Sequence, residues 1–157
     1  MNRIFKLNAV LLILVLMSSC GEKTVYETNI DQPNQAWNAF KPAVFDFDIQ
    51  DTSKIYKVSL ALKLNSKMVE HLIPIDIQMI YPNSESRADL QYLFVDSAAH
   101  VGDYSEFTIQ ANKHFNNPGK YHYSIVQKTS KYDLAGVESI GIRVKITKPK
   151  KIEEETE

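Results

Sequence analysis

From Val44 to Ile146 the apolar residues return at every second position, in one run after another. Successive side chains of a strand point to opposite faces, so this period is what a half-buried β-strand requires. The clearest run is IYKVSLALKL at 55–64. There Tyr56, Val58, Leu60, Leu62 and Leu64 alternate with Lys57, Ser59, Ala61 and Lys63. Before it, Phe45, Phe47 and Ile49 share a face opposite Asp46 and Asp48, and Asp51-Thr52-Ser53 supplies a turn between the two strands. A helix needs a period near 3.6 residues, and no segment of the domain shows a convincing one.

The same alternation places Ile73, Ile75, Ile77 and Met79 on one face, with Pro74 near the start of the strand, where a missing donor is tolerated. It puts Leu90, Tyr92 and Phe94 together, Phe107 and Ile109 together, then Tyr121, Tyr123 and Ile125, and finally Ile140, Ile142, Val144 and Ile146. Asn116-Asn117-Pro118-Gly119 is the strongest turn signal in the chain. About seven short strands between frequent turns predict an all-β fold, an antiparallel β-sandwich of immunoglobulin-like or jelly-roll-like kind. Parallel βαβ units are disfavoured, because their crossovers need about a dozen residues or more, usually helical.

The amino terminus is built differently. Residues 9–17 read AVLLILVLM, with Arg3 and Lys6 before them and Ser18, Ser19 and Cys20 after. Spanning a bilayer takes about 20 apolar residues, so this run is too short for an anchor helix. Cations, a short apolar run and small residues are the parts of a secretory signal. The single cysteine directly follows the small residues in LMSSC, which resembles a bacterial lipoprotein signal cleaved before Cys20 and acylated on it. Such a residue carries a diacylglycerol thioether and an amide-linked acyl chain such as palmitate. One chain binds a membrane only marginally, and two or more hold firmly. The alternative is an ordinary signal peptide with Cys20 left as a free thiol.

Cleavage at that point leaves 138 of the 157 residues, enough for one domain with its own core. Arg3 and Lys6 leave with the signal, so 18 basic residues fall to 16 against 19 acidic ones. That balance argues against nucleic acid as a partner. With Cys20 acylated no cysteine remains to pair, and packing alone must stabilise an exported domain. The expected organisation is a signal peptide at 1–19, a lipidated Cys20 with a lead-in and tether segment at 20–42, a β-sandwich at 43–147 and a charged, disordered tail at 148–157. Trp37, the only tryptophan, lies in the lead-in. It either plugs one end of the core, with its N–H paired, or offers an exposed contact to another protein.

Catalytic signatures are absent. No serine lies in a G-x-S-x-G elbow, and no glycine-rich phosphate loop occurs. His71, His100, His114 and His122 are scattered without metal-ligand spacing. Asp46 and Asp48, with Asp51 following, are oxygen ligands a calcium ion could use, but alternating acids are also what a solvated strand face needs. The reading is a protein that is not an enzyme and holds no cofactor or metal. A carbohydrate- or peptide-binding sandwich is the alternative, since eight tyrosines and Trp37 could give aromatic contacts. An envelope hydrolase using the scattered histidines and aspartates comes third.

With Cys20, PNQAW at 33–37, FDFDI at 45–49, IYKVSLALKLN at 55–65, NPGKYHYSIVQ at 117–127 and LAGVESIGIRVKI at 134–146, the chain resembles the GldH gliding-motility lipoproteins of Bacteroidetes. The likeness covers nearly all of the mature chain. It implies a cell-envelope lipoprotein needed for gliding, linked to the type IX secretion machinery and to other motility and secretion proteins as partners. Cys20 is the one functional position it carries across. The anchor implies a membrane partner. Glu22 alone precedes Lys23 as an acid, too short an acidic run to address the chain to the outer cell surface. The periplasmic face of the outer membrane is therefore the expected location.

Overall fold

The computed structural model describes residues 22–96 and 103–147. Its elements are β1 (Lys23–Asp31), a 3-10 turn (Pro33–Gln35), β2 (Ala36–Asn38), β3 (Ala43–Ile49), β4 (Ile55–Leu64), β5 (Leu72–Ile80), β6 (Ser86–Phe94), β7 (Tyr104–Lys113), β8 (Gly119–Gln127), β9 (Asp133–Ala135) and β10 (Val137–Thr147). One four-stranded sheet has the order β1-β10-β4-β7, and the other β3-β8-β5-β6. A two-stranded ribbon pairs β2 with β9. Every pairing is antiparallel, as the expected sandwich requires.

The expected faces form the core. Phe45, Phe47 and Ile49 of β3, alternate residues of β4 from Tyr56, the isoleucines of β5 and the Tyr121-Tyr123-Ile125 face of β8 are buried against Ile140, Ile142 and Val144 of β10. An aromatic cluster closes one end. The Phe47 ring lies 5.2 Å from Tyr123, 6.0 Å from Tyr121 and 6.1 Å from Phe115, and Phe115 meets Tyr56 at 5.2 Å. Staggered and edge-on rings at these separations add about 0.5–1.5 kcal/mol per pair beyond their burial.

Two findings depart from the sequence reading. Among the described residues there are ten strands rather than about seven, and the three extra ones, β1, β2 and β9, are short or lie outside the strongly alternating stretch. Part of the lead-in segment 20–42 is itself sandwich: β1 pairs with β10 from Lys23↔Ile146 to Asp31↔Ser139. As an edge strand it buries only part of its inner face, through Tyr26, Thr28 and Ile30, so its alternation is faint. Trp37 is fully buried in β2, opposite Leu134 of β9, and so plugs the core. Its indole N–H has no partner among the described residues.

The long strands give the domain two ends. Lys23, Ile146, Tyr56 and Lys113 lie together at one end by register, as do Ile49 with Gly119 and Ile80 with Ser86. The chain enters the sandwich here at Lys23, so this is called the proximal end. Gln127, Leu72, Phe94, Tyr104 and Asp31 mark the distal end.

Candidate functional site

Cys20, His100, the signal peptide 1–19 and the tail 148–157 lie outside the described residues. The remaining candidates are not brought together. His71 precedes β5 at the distal end, and His114 follows β7 at the proximal end. His122 stands on the outer face of β8, its Nδ1 2.9 Å from an oxygen of Asp46, its register partner on β3. Asp48 sits opposite Lys120. Asp51 is engaged in its turn, accepting from the Ser53 N–H at 3.0 Å and the Ser53 hydroxyl at 2.6 Å, which hold its carboxyl below the usual range. Among the described residues no three His, Cys, Asp or Glu side chains are placed to hold a metal ion.

The outer face of the β1-β10-β4-β7 sheet carries a charge lattice. Arg143 of β10 is 8 % exposed and reaches Glu27 of β1 at 2.9 Å and Glu106 of β7 at 3.4 Å, with Tyr104 over its guanidinium. Lys145 reaches Glu106 at 3.3 Å and Glu22 at 3.8 Å. Glu22 also accepts from Lys57, whose hydrogen bond holds that carboxyl below the usual range. Each charge meets an opposite one, so the lattice leaves little net field for a ligand. Its consequence is positional: Glu22, two residues after Cys20, is tied into the sheet.

At the proximal end a small cleft of about 60 Å³ lies among Tyr81, Lys113, Phe115 and Asn117. The Lys113 ammonium sits 5.4 Å from the Tyr81 ring and 5.5 Å from Phe115. Burial, with a smaller push from Arg87, holds this amine below the ordinary lysine range.

The distal end is knit by polar side chains. Buried Gln127 donates to the carbonyls of Trp37 at 3.3 Å and Lys131 at 2.9 Å, and accepts from Thr129 N–H at 2.8 Å. Gly136 donates to the Gln35 carbonyl and accepts from the Asn65 N–H, both at 2.9 Å. Around this frame stand large apolar side chains in solvent. Phe40 and Tyr132, 73 % and 71 % exposed, pack ring to ring at 5.3 Å beside a cleft of about 250 Å³. Lys131 next to Tyr132 bridges to Glu70 at 2.6 Å, and beyond Glu70 the chain enters β5 at Leu72. Leu72 pairs with Phe94 of β6, and Pro74 with Tyr92.

Strand β6 turns its large apolar residues outward. Leu90, Tyr92 and Phe94 do share a face, but it is the outer one, and they are 56 %, 53 % and 77 % exposed. The inner face is Asp89, Gln91 and Leu93, half-buried to buried. It lies at the rim of the sandwich, where the Gln91 amide donates to the Ile109 carbonyl of β7 at 2.8 Å. A rim position needs a polar donor, so the polar half of the pattern turns inward there.

No curated protein matches this chain. Among solved structures, a serine protease of Aeromonas sobria overlaps 81 % of this chain and 27 % of its own, at 11 % identity and TM-score 0.39. The infectious bursal disease virus VP2 subviral particle overlaps 77 % and 32 %, at 12 % identity and TM-score 0.40. Xylanase10C from Cellvibrio japonicus overlaps 79 % and 25 %, at 13 % identity and TM-score 0.41. The chain thus spans about a quarter to a third of each of these proteins. The sequence profile of the GldH lipoprotein family matches residues 24–144, from the start of β1 to near the end of β10. A match over that span of the sandwich means that this chain belongs to the GldH lipoprotein family.

Proposed function

We propose that this protein is a lipid-anchored, non-catalytic interaction module that supports gliding motility, working with the type IX secretion machinery from the periplasmic face of the outer membrane. The family match over 24–144 carries the reading. The fold supports it: the domain starts at Lys23, three residues beyond Cys20, so an acyl group there holds the sandwich against the bilayer surface. Replacing Cys20 with alanine leaves the sandwich intact, releases the protein from the membrane fraction and abolishes gliding. Normal gliding by a strain whose variant is soluble overturns the role of the anchor.

The Phe40–Tyr132 ring pair favours a second reading, a sandwich that binds carbohydrate, because exposed rings beside a cleft are what a sugar face stacks on. Binding calorimetry against envelope glycans separates the two. Micromolar affinity that Tyr132→Ala removes supports the carbohydrate reading, and no heat at millimolar glycan excludes it.

A further inference from the structure

Two turns meet at the proximal end and frame the cleft beside Lys113. One runs from Tyr81 to Glu85, closed by the Tyr81 N–H to the Glu85 carbonyl and the Ser84 N–H to the Tyr81 carbonyl, both at 2.9 Å. The other spans 114–118, where the Tyr121 hydroxyl donates to the Asn117 carbonyl at 2.7 Å. A Cβ at Gly119 would stand 3.2 Å from the Pro82 side chain, so the two turns are in close contact. The lining of the cleft, about 60 Å³, includes Tyr81, Glu85, Lys113, His114, Asn116 and Asn117. One water needs about 10–15 Å³ of such space, so there is room for roughly four to six waters or one phosphate group.

Strand β7 is shaped to bring Lys113 there. Its pairing with β4 slips twice, between Tyr56 and Val58 and between Val58 and Ser59. Asn112, just before Lys113, is left-handed at φ 50°. Such bulges re-aim side chains and are common beside functional sites. Here they let Gln110 meet the Tyr123 hydroxyl at 2.7 Å and set the Lys113 ammonium against the rings of Tyr81 and Phe115.

The charge placed in this way is not neutralised. Four lysines are half-buried among the described residues. Lys57, Lys63 and Lys145 each bridge to a glutamate. Lys113 has no carboxylate within ion-pair reach among the described residues, and none of its three N–H donors meets an acceptor there. Glu85, the one acid on the lining, is exposed and forms no ion pair. Arg87 adds a second positive charge close enough to disfavour the ammonium. Asn116, Asn117 and His114 bring further N–H donors to the lining, and Tyr81 brings a hydroxyl. Donors of several kinds around one small space suit a tetrahedral oxyanion better than a planar carboxylate.

We propose that this cleft binds a phosphate group, with the Lys113 ammonium as its counter-charge and the Asn117 amide and Tyr81 hydroxyl as further donors. The group belongs either to a lipid headgroup or to a free phosphate. The site does not depend on acylation of Cys20.

The test titrates inorganic phosphate into the mature chain, residues 20–157 with Cys20→Ala, at an ionic strength held constant with chloride, and follows it by NMR. Saturable shifts in the millimolar range are expected at the Lys113 ammonium and the Asn117 amide. Lys113→Gln, shown to be folded by circular dichroism, should weaken binding about tenfold or more through loss of one charge-assisted hydrogen bond, and Lys120→Gln should leave it unchanged. Acetylation by an amine-specific reagent reads the site without altering it: phosphate should slow the reaction of Lys113 and not of Lys120. Flotation with phosphatidylcholine vesicles, with and without phosphatidic acid, separates the sources. Binding that needs both phosphatidic acid and Lys113 assigns the phosphate to a headgroup, and a phosphate response without such binding assigns it to a free ion. Equal shifts with acetate, binding retained in Lys113→Gln, no protection of Lys113 or no saturable response overturns the proposal.

Discussion

Replacing Gly136 with alanine probes how the distal end is held. Gly136 has φ +90°, a conformation L side chains rarely adopt. Strain of that kind costs about 1–3 kcal/mol. A Cβ there sits 2.2 Å from the Met68 nitrogen and 2.6 Å from its Cα, both backbone atoms, so the 65–68 loop must retreat by about 1 Å to reach ordinary contact. That movement stretches the hydrogen bonds to Gln35 and from Asn65, each worth about 0.5–1.5 kcal/mol net. The loss is about 2–6 kcal/mol, against a total of about 5–15 for a typical domain. At about 3–4 °C per kcal/mol, Tm falls by roughly 6–24 °C. Gly119→Ala is the comparison: its φ is +123°, but the nearest atom to its Cβ is the Pro82 side chain at 3.2 Å. It keeps the conformational strain without the backbone collision and should cost about 1–3 kcal/mol. Urea and thermal unfolding of the unacylated mature domain, followed by circular dichroism, measure both. A Gly136→Ala loss under about 1 kcal/mol, or one no larger than that of Gly119→Ala, refutes the close approach to Met68.

Gln127→Leu removes the acceptor of the Thr129 N–H and the donor to two carbonyls inside the distal end. Unpaired buried groups cost about 1–3 kcal/mol each, so with three left unpaired a loss of at least about 3 kcal/mol is expected in urea unfolding followed by Trp37 fluorescence. Phe94→Lys alone adds a charge where the side chain is in solvent, and its unfolding midpoint should match the parent to within about 0.5 kcal/mol. The Glu138 carboxyl is held below its ordinary value by hydrogen bonds from Asn65 and then Lys63. A carboxyl more acidic folded than unfolded stabilises above its ordinary value near 4.5 and loses that contribution as pH falls through the folded-state value. The pH profile of Tm should therefore steepen below about pH 4.5 and flatten there in Glu138→Gln.

The core was legible because it rests on period two in long, strongly apolar runs. Tyr56 to Leu64 and Ile140 to Ile146 sit in central strands, where one face meets only other side chains. The edges were harder. Thr24 and Thr28 of β1 gain little from burial, so the strand reads as polar linker until β10 is placed beside it. In β6 the alternation of Asp89, Gln91 and Leu93 with Leu90, Tyr92 and Phe94 defines two faces without saying which is inner. The choice is made by the rim, where Gln91 pairs with the Ile109 carbonyl. The Phe40–Tyr132 pair joins residues from two distant loops and leaves no local pattern. Cys20 stands apart from all of these, since its meaning comes from the residues before it and not from the fold.

Mass spectrometry of the native protein, extracted from membranes with detergent and cut with protease, reads residue 20 directly. The amino-terminal peptide should begin at Cys20 and carry a diacylglycerol thioether with or without an amide-linked acyl chain. A peptide retaining residues before Cys20, or one with an unmodified Cys20 thiol, contradicts the anchored sandwich.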